Sequence, residues 1–171
     1  GVYVALLDAD DLWHQTKLES QVAQLERSGS PMCVCSYEYF DDRTRRRIGI
    51  IRVDDGSRAL RGWMALEGHG LALASTALIR RQVLDDLRHF DPTFSISADL
   101  DFALRVDEIG HLDALPEVLV GYRAHPGQMH RQVNVLKGDL SVLFDRVFYD
   151  GGDPSFERRC RANLAVHVGL S

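Results

Sequence analysis

The sequence is poor in the residues that staple, punctuate or anchor a chain. Three cysteines among 171 residues are too few, and too odd in number, for a disulfide framework. Cys33 and Cys35 alternate along one strand-like stretch and Cys160 is far away. With no C-x-x-C pair, buried free thiols fit better than zinc or redox work. No apolar run approaches the length of a transmembrane helix, and the first residues lack the charged, apolar, small-residue order of a secretory signal. Both absences give the expectation of a cytoplasmic protein. Internal repeats, low-complexity tracts and a glycine loop able to cradle phosphates are also missing. A basic surplus is lacking too: 20 Lys and Arg against 25 Asp and Glu leave a formal charge of −5, which argues against a nucleic-acid partner. The single basic run, Arg43 to Arg47, is flanked by Asp41, Asp42, Asp54 and Asp55. It reads as a solvated turn between two strands rather than as a polyanion site.

What is present is the composition of an ordinary globular domain with one core. Residues 2–7, VYVALL, form an apolar run of the kind buried on both faces of a parallel sheet. From Thr16 a helix is expected, with Leu18, Val22 and Leu25 on its buried face and Gly29 as its stop. MCVCSYEYF (32–40) and the segment from residue 46 onward read as strands joined by the charged turn, and residues 57–70 as a short helix ending in glycines. Residues 71–81 are β-prone at their centre, and RQVLDDL adds a helical turn or two. Ser97 should begin a helix that Gly110 ends, followed by a strand pair interrupted by Pro116. Two helical segments split by YDGGDP complete the chain. Alternating strands and helices followed by a helical tail make an α/β pattern.

The residues with chemistry to offer are acidic. Asp8, Asp10 and Asp11 directly follow the first apolar run, and ligands of open α/β sheets gather outside the carboxyl ends of strands. Carboxylate oxygens suit hard cations shared with substrate phosphates, so Asp8-Ala9-Asp10 could hold a metal diphosphate. The plainer alternative is an Asx turn leading into the helix near Thr16. Asp99 stands at a helix start, where the dipole and free N–H groups would hold it ionised. Its plainer reading is a simple helix-start carboxylate, with Asp101 facing solvent. Trp13 and Trp63 could stack on a sugar or base, although core positions are commoner for both.

Three stretches, in order, resemble family 2 glycosyltransferases of the GT-A fold. ALLDADDLWHQTKLESQ is similar to that family's aspartate-x-aspartate segment and the lysine-leucine-glutamate helix after it. Residues 74–106, ASTALIRRQVLDDLRHFDPTFSISADLDFALRV, resemble its acceptor-side segment, and LPEVLVGYRAHPGQMH resembles the tyrosine-arginine-x-histidine stretch that follows. The resemblance implies a GT-A-like, Rossmann-like mixed sheet flanked by helices. It divides the chain into a partial catalytic domain over 1–127 and a helical C-terminal tail over 128–171, with the N-terminal nucleotide-binding half missing.

The same resemblance implies an inverting, metal-dependent transfer of a sugar from a nucleotide diphospho-sugar, a UDP-sugar first among them. The acceptor is a saccharide, lipid or protein hydroxyl, in a role such as polysaccharide biosynthesis. Asp8 and Asp10 would contact the nucleotide-sugar, Asp10 and His125 the divalent metal, Mn2+ or Mg2+, and Asp99 would be the general base. An imidazole ligand favours manganese; His130 is the neighbouring alternative to His125. Ala98 stands where the family reads glutamate, which bears on how the base is oriented and which acceptor is used. A lipid acceptor would bring peripheral contact with the inner face of a membrane. A chain without the nucleotide half would be an inactive fragment. Two other readings compete: a haloacid dehalogenase-like phosphatase with Asp8 as nucleophile and Asp10 as acid, and a non-catalytic sugar- or nucleotide-binding remnant.

Overall fold

The computed structural model of the chain describes residues 1–67, 70–125, 132–149, 151–167 and 169. Its frame is a parallel pair of long strands, β3 (Met32–Asp41) and β6 (Leu112–Ala124), in register from Met32 beside Leu112 to Asp41 beside Ala124. β3 begins apolar or small at successive positions because both its faces are covered. Met32 and Val34 enter one core, and Cys33, Cys35 and Tyr37 enter the other. The sheet order is β1 (Tyr3–Ala5), β5 (Leu78–Arg80), β3, β6, β2 (Leu12–Trp13), with β4 (Arg47–Ile51) also paired to β3. Every pairing except β3 with β6 is antiparallel. This is the mixed sheet that the resemblance implied.

Several local expectations are corrected. VYVALL is not a strand enclosed by parallel neighbours: β1 ends the sheet order, antiparallel to β5, and Val2, Leu6 and Leu7 are exposed. An apolar run gives burial potential but no strand direction, so the sequence could not reveal this. Pro116 does not split its segment into two strands. β6 runs through it, and the register with β3 skips from Cys35 opposite Leu115 to Ser36 opposite Val118. The irregularity excuses the N–H that proline lacks. At the centre of 71–81, residues Leu73–Thr76 form a helical turn, α3, and only Leu78–Arg80 are strand.

Helix α1 (Lys17–Ser28) ends where expected: Gly29 adopts a left-handed φ of 74° and its N–H bonds Leu25 O. Its buried face, however, is Lys17, Gln21 and Leu25, while Leu18 is exposed. The polar atoms on that face are satisfied in series. Lys17 Nζ lies 4.2 Å over the Trp13 ring and donates to Gln21 Oε1 at 2.7 Å, and Gln21 Nε2 donates to the carbonyls of Cys33 and Thr76. Burial lowers the Lys17 amine to about 8 and pushes the Cys33 and Cys35 thiols up to about 12, so both cysteines are inert protonated packing residues. All three cysteines are free and buried, as the sequence implied.

On the opposite face lie α2 (Gly56–Met64), α4 (Arg81–Asp86), α5 (Ala98–Ile109), α6 (Val133–Phe148) and α7 (Pro154–His167). Gly56 is required where α2 meets β6, since a Cβ there would lie 2.5 Å from Leu112 O. The tail closes the main core: Leu140, Leu143, Phe144, Phe156, Cys160 and Leu164 pack in one cluster with Leu100, Phe102 and Val106 of α5. The expected boundary at residue 127 lies outside the described residues. Among the described residues no helix is long and apolar enough to cross a membrane.

Candidate active site

The three carboxylates after β1 do different things. The chain turns there, with Asp11 N–H bonding Asp8 O at 3.1 Å, and β2 then pairs with β6. Asp11 is buried and structural. Its Oδ2 accepts from Ser75 Oγ at 2.6 Å and its Oδ1 from the Arg123 N–H at 2.9 Å. Burial raises its pKa, against which those two bonds pull down. Ser75 also accepts from the Asp8 N–H, and its carbonyl takes the Trp13 indole N–H at 2.8 Å. Arg123 completes the frame by donating from Nε to Asp10 O at 2.6 Å and from Nη1 to Asp42 at 2.8 Å. With Asp11 spent on the scaffold, the side chains of Asp8, exposed, and Asp10, half-buried, are the carboxylates that this turn presents.

Asp10 is not alone there. Its Oδ2 lies 2.7 Å from His125 Nε2, at the end of β6. Asp8 has its pKa raised, first by desolvation and then by the charge of Asp10 beside it. Asp10 and His125 thus offer one carboxylate oxygen and one imidazole nitrogen side by side, two donor types that a divalent cation can share with a substrate diphosphate. Among the described residues no group of three or more His, Cys, Asp or Glu would hold a metal unaided. Ligands from a diphosphate and water would have to complete the coordination. His130 lies outside the described residues.

Asp99 sits in the first turn of α5, facing an apolar recess lined in part by Leu6, Leu73, Ala74, Phe90 and Phe102. Its Oδ1 accepts from the Leu100 N–H at 2.8 Å. The helix start was expected to hold this carboxyl ionised. Backbone bonds do pull its pKa down, but burial outweighs them, and with the charge of Asp8 it is raised to about 6. Asp101 does not face solvent. It is 1% exposed and paired with Arg105 and with Arg146 of α6, each at 2.8 Å. Trp13 is engaged by Ser75 and Lys17, and Trp63 packs on the main core.

Of the residues expected from the sequence, the fold brings Asp10 and His125 into contact, and the charge of Asp8 reaches both Asp10 and Asp99, but the sequence did not reveal their supports. Ser75 and Arg123 were missed as site residues. For Arg123 a signal existed, since it stands two residues before His125, a spacing that in extended chain puts two side chains on one side. Ser75 carried none, because its role depends on an α3 turn that the sequence pattern concealed.

An open mixed sheet with paired carboxylates and a histidine at its strand ends defines a fold of the GT-A glycosyltransferase kind. The glycosyl transferase family 2 model matches residues 1–88, just over half of the chain, and the chain belongs to that family. Solved structures agree on the fold. Over 99% of this chain and 46% of the other, it is similar, at 20% identity and a TM-score of 0.57, to the mannosyltransferase PcManGT from Pyrobaculum calidifontis in complex with GDP-Man and Mn2+. S. aureus TarS 1-349 in complex with UDP-GlcNAc is 14% identical, with a TM-score of 0.56 over 99% of this chain and 48% of that one. The chain thus spans about half the length of these neighbours. No curated protein matches it.

Proposed function

We propose that this chain is the metal- and acceptor-side part of an inverting glycosyltransferase that uses a nucleotide diphospho-sugar. The acceptor hydroxyl oxygen would attack the anomeric carbon as the bond from that carbon to the diphosphate oxygen breaks. The hydroxyl proton would pass to Asp99, and the nucleoside diphosphate would leave. Asp8 and Asp10 would orient the donor, and Asp10 with His125 would hold a divalent ion, Mn2+ or Mg2+. That ion would offset negative charge on the departing diphosphate.

The observation that carries this reading is Asp99. A carboxyl raised to about 6 by an apolar recess is still mostly ionised at neutral pH, yet basic enough to take a proton. The charge of Asp8 also reaches it, which supports reading base and donor side as parts of one site. Family membership leaves no support for the phosphatase alternative.

Because the chain covers about half of its structural neighbours, turnover is proposed for a complete domain that contains it, and the 171 residues alone are expected to be inactive. Donor identity follows from a screen of UDP- and GDP-sugars with Mn2+ against saccharide, lipid and protein acceptors. Transfer with inverted anomeric configuration supports the proposal. Tight donor binding with no transfer to any acceptor class, or transfer with retention, would overturn it. A lipid acceptor would add peripheral membrane association and a polysaccharide-building role.

A further inference from the structure

One buried carboxylate is unused by the reaction just proposed. Asp139, on α6, is 9% exposed, and its Oδ2 accepts from three consecutive backbone N–H groups: Ser95 at 3.0 Å, Ile96 at 2.8 Å and Ser97 at 3.0 Å. Such converging N–H groups form an anion nest, and here the protein's own carboxylate fills it. The nest immediately precedes Asp99. At the start of α5 itself Ser97 makes no side-chain cap bond and Ala98 has no polar side-chain atom, so apart from the Asp99 carboxyl on the Leu100 N–H the grip on this turn comes from α6. Seven residues along the same face of α6, Arg146 donates to Asp101 Oδ1 at 2.8 Å and to Asp91 Oδ2 at 3.0 Å.

We propose that Asp139 is a positioning residue that, from the C-terminal helix α6, holds Asp99 in its apolar recess and so orients the base for the acceptor. This rests on the reading of Asp99 as the base. Two chain-distant grips, Asp139 on the turn before Asp99 and Arg146 on the residue two after it, leave that turn little freedom. Without Asp139, three N–H groups lose their acceptor and the turn must reorganise to find water. The carboxyl of Asp99 then leaves the recess. Asp8 is the charged group facing it from the loop after β1. On its own helix Asp101 is turned into Arg105 and Arg146, and the facing side chains of Leu6, Leu73, Phe90 and Phe102 are apolar.

The test compares Asp139→Leu, which accepts nothing, with Asp139→Asn, whose amide oxygen can still accept, and the Asn variant serves alone if the Leu variant does not fold. Carbon-detected NMR titration of the Asp99 carboxyl in the 171-residue chain should give a midpoint near 6 in the wild type. Release into water should lower it by about one pH unit or more in Asp139→Leu, and by less in Asp139→Asn. Amide exchange at Ser95 to Ser97 should quicken in the same order. In the complete domain kcat should fall about tenfold to a hundredfold while donor Kd stays constant. An unchanged Asp99 midpoint in a folded variant overturns the proposal, as does donor affinity that falls in step with kcat. A shifted midpoint in a protein that neither binds donor nor transfers sugar would leave Asp139 in its positioning role and reject the transferase reading instead.

Discussion

His125 Nε2 and Asp10 Oδ2 lie 2.7 Å apart although 115 residues separate them in the chain. The contact exists because β2 pairs with β6, which brings the turn after β1 to the end of β6, and because Arg123 ties the backbone of that turn to the same strand. A loop histidine and a turn aspartate have no reason of their own to meet. On the proposed reading, a metal would find these two donors already side by side and would need only to displace the hydrogen bond between them.

On the proposed reading Asp10 and His125 share the metal, so each should matter to metal affinity separately from folding. Asp10→Ala should abolish Mn2+-dependent donor binding, and His125→Ala should weaken Mn2+ by about tenfold or more. Both side chains are partly exposed, so the melting temperature should change little. Isothermal titration of Mn2+ with nucleoside diphosphate, alongside thermal melts, checks both. Unaltered Mn2+ binding in Asp10→Ala would remove that residue from the site.

Asp99 makes a prediction with two signs. Its folded pKa is raised above the ordinary carboxylate value to about 6, so the folded state binds the proton more tightly than the unfolded state. The stability this contributes is fully present below the unfolded value near 4 and is lost as pH rises through 6. At pH 7 the ionised carboxyl therefore costs the fold on the order of 2 kcal/mol. Asp99→Asn should remove that cost, raising stability at pH 7 and changing it little at pH 4, while lowering turnover by about a hundredfold to ten-thousandfold. Urea unfolding at the two pH values measures the first effect, and steady-state kinetics of the complete domain the second. A variant less stable than wild type at pH 7 would mean that the recess is not where the carboxyl sits.

The sequence was informative where function had concentrated residue types and silent where geometry did the work. The family was legible because three stretches in order matched it, and with it the candidates Asp8, Asp10, Asp99 and His125; β3 and most helices were legible because their apolar spacing or caps were plain. The buried face of α1 was misread because Lys17 and Gln21 look like surface residues until Trp13, Cys33 and Thr76 are seen around them. Asp101 was misread likewise, since its partner Arg146 lies on a helix that sequence alone could not dock. Strand direction in β1, the bulge that admits Pro116 and the α3 turn all depend on pairing partners, which a local pattern does not contain.

Arg123 should be as important to the loop as the carboxylates that the loop presents. Its side chain holds Asp10 O and Asp42, and lies 4.9 Å over the Phe40 ring. Arg123→Ala leaves the Asp11 bond to the backbone N–H possible but frees the turn around Asp10. Stability should fall by about 1–3 kcal/mol, and Mn2+ affinity by about tenfold, because Asp10, the proposed ligand, is no longer aimed. Arg123→Lys should recover little of either, since one ammonium cannot reproduce the divergent Nε and Nη1 bonds. Equal Mn2+ affinities in wild type and Arg123→Ala would show that Asp10 is held by other contacts.

Among the described ion-paired residues of the tail contact, Asp101 is the most vulnerable to loss, because it is the buried one. Arg105 and Arg146 reach it from α5 and α6 while keeping part of their side chains in water, at 24% and 44% exposure against 1% for Asp101. Removing the shared carboxylate strands neither arginine completely, so the cost should lie at the low end of that for breaking a buried pair, about 3 kcal/mol. Asp101→Ala should therefore lower the urea midpoint clearly, and the loss should persist in high salt because the pair is shielded from ions. Asp54→Ala provides the contrast. Its pair with Arg58 is exposed on both sides, and its removal should leave the midpoint unchanged. If the two variants unfolded alike, the tail would not be anchored through Asp101, and the grip of α6 on α5 would rest on Asp139 and the apolar packing of Leu140, Leu143 and Phe144.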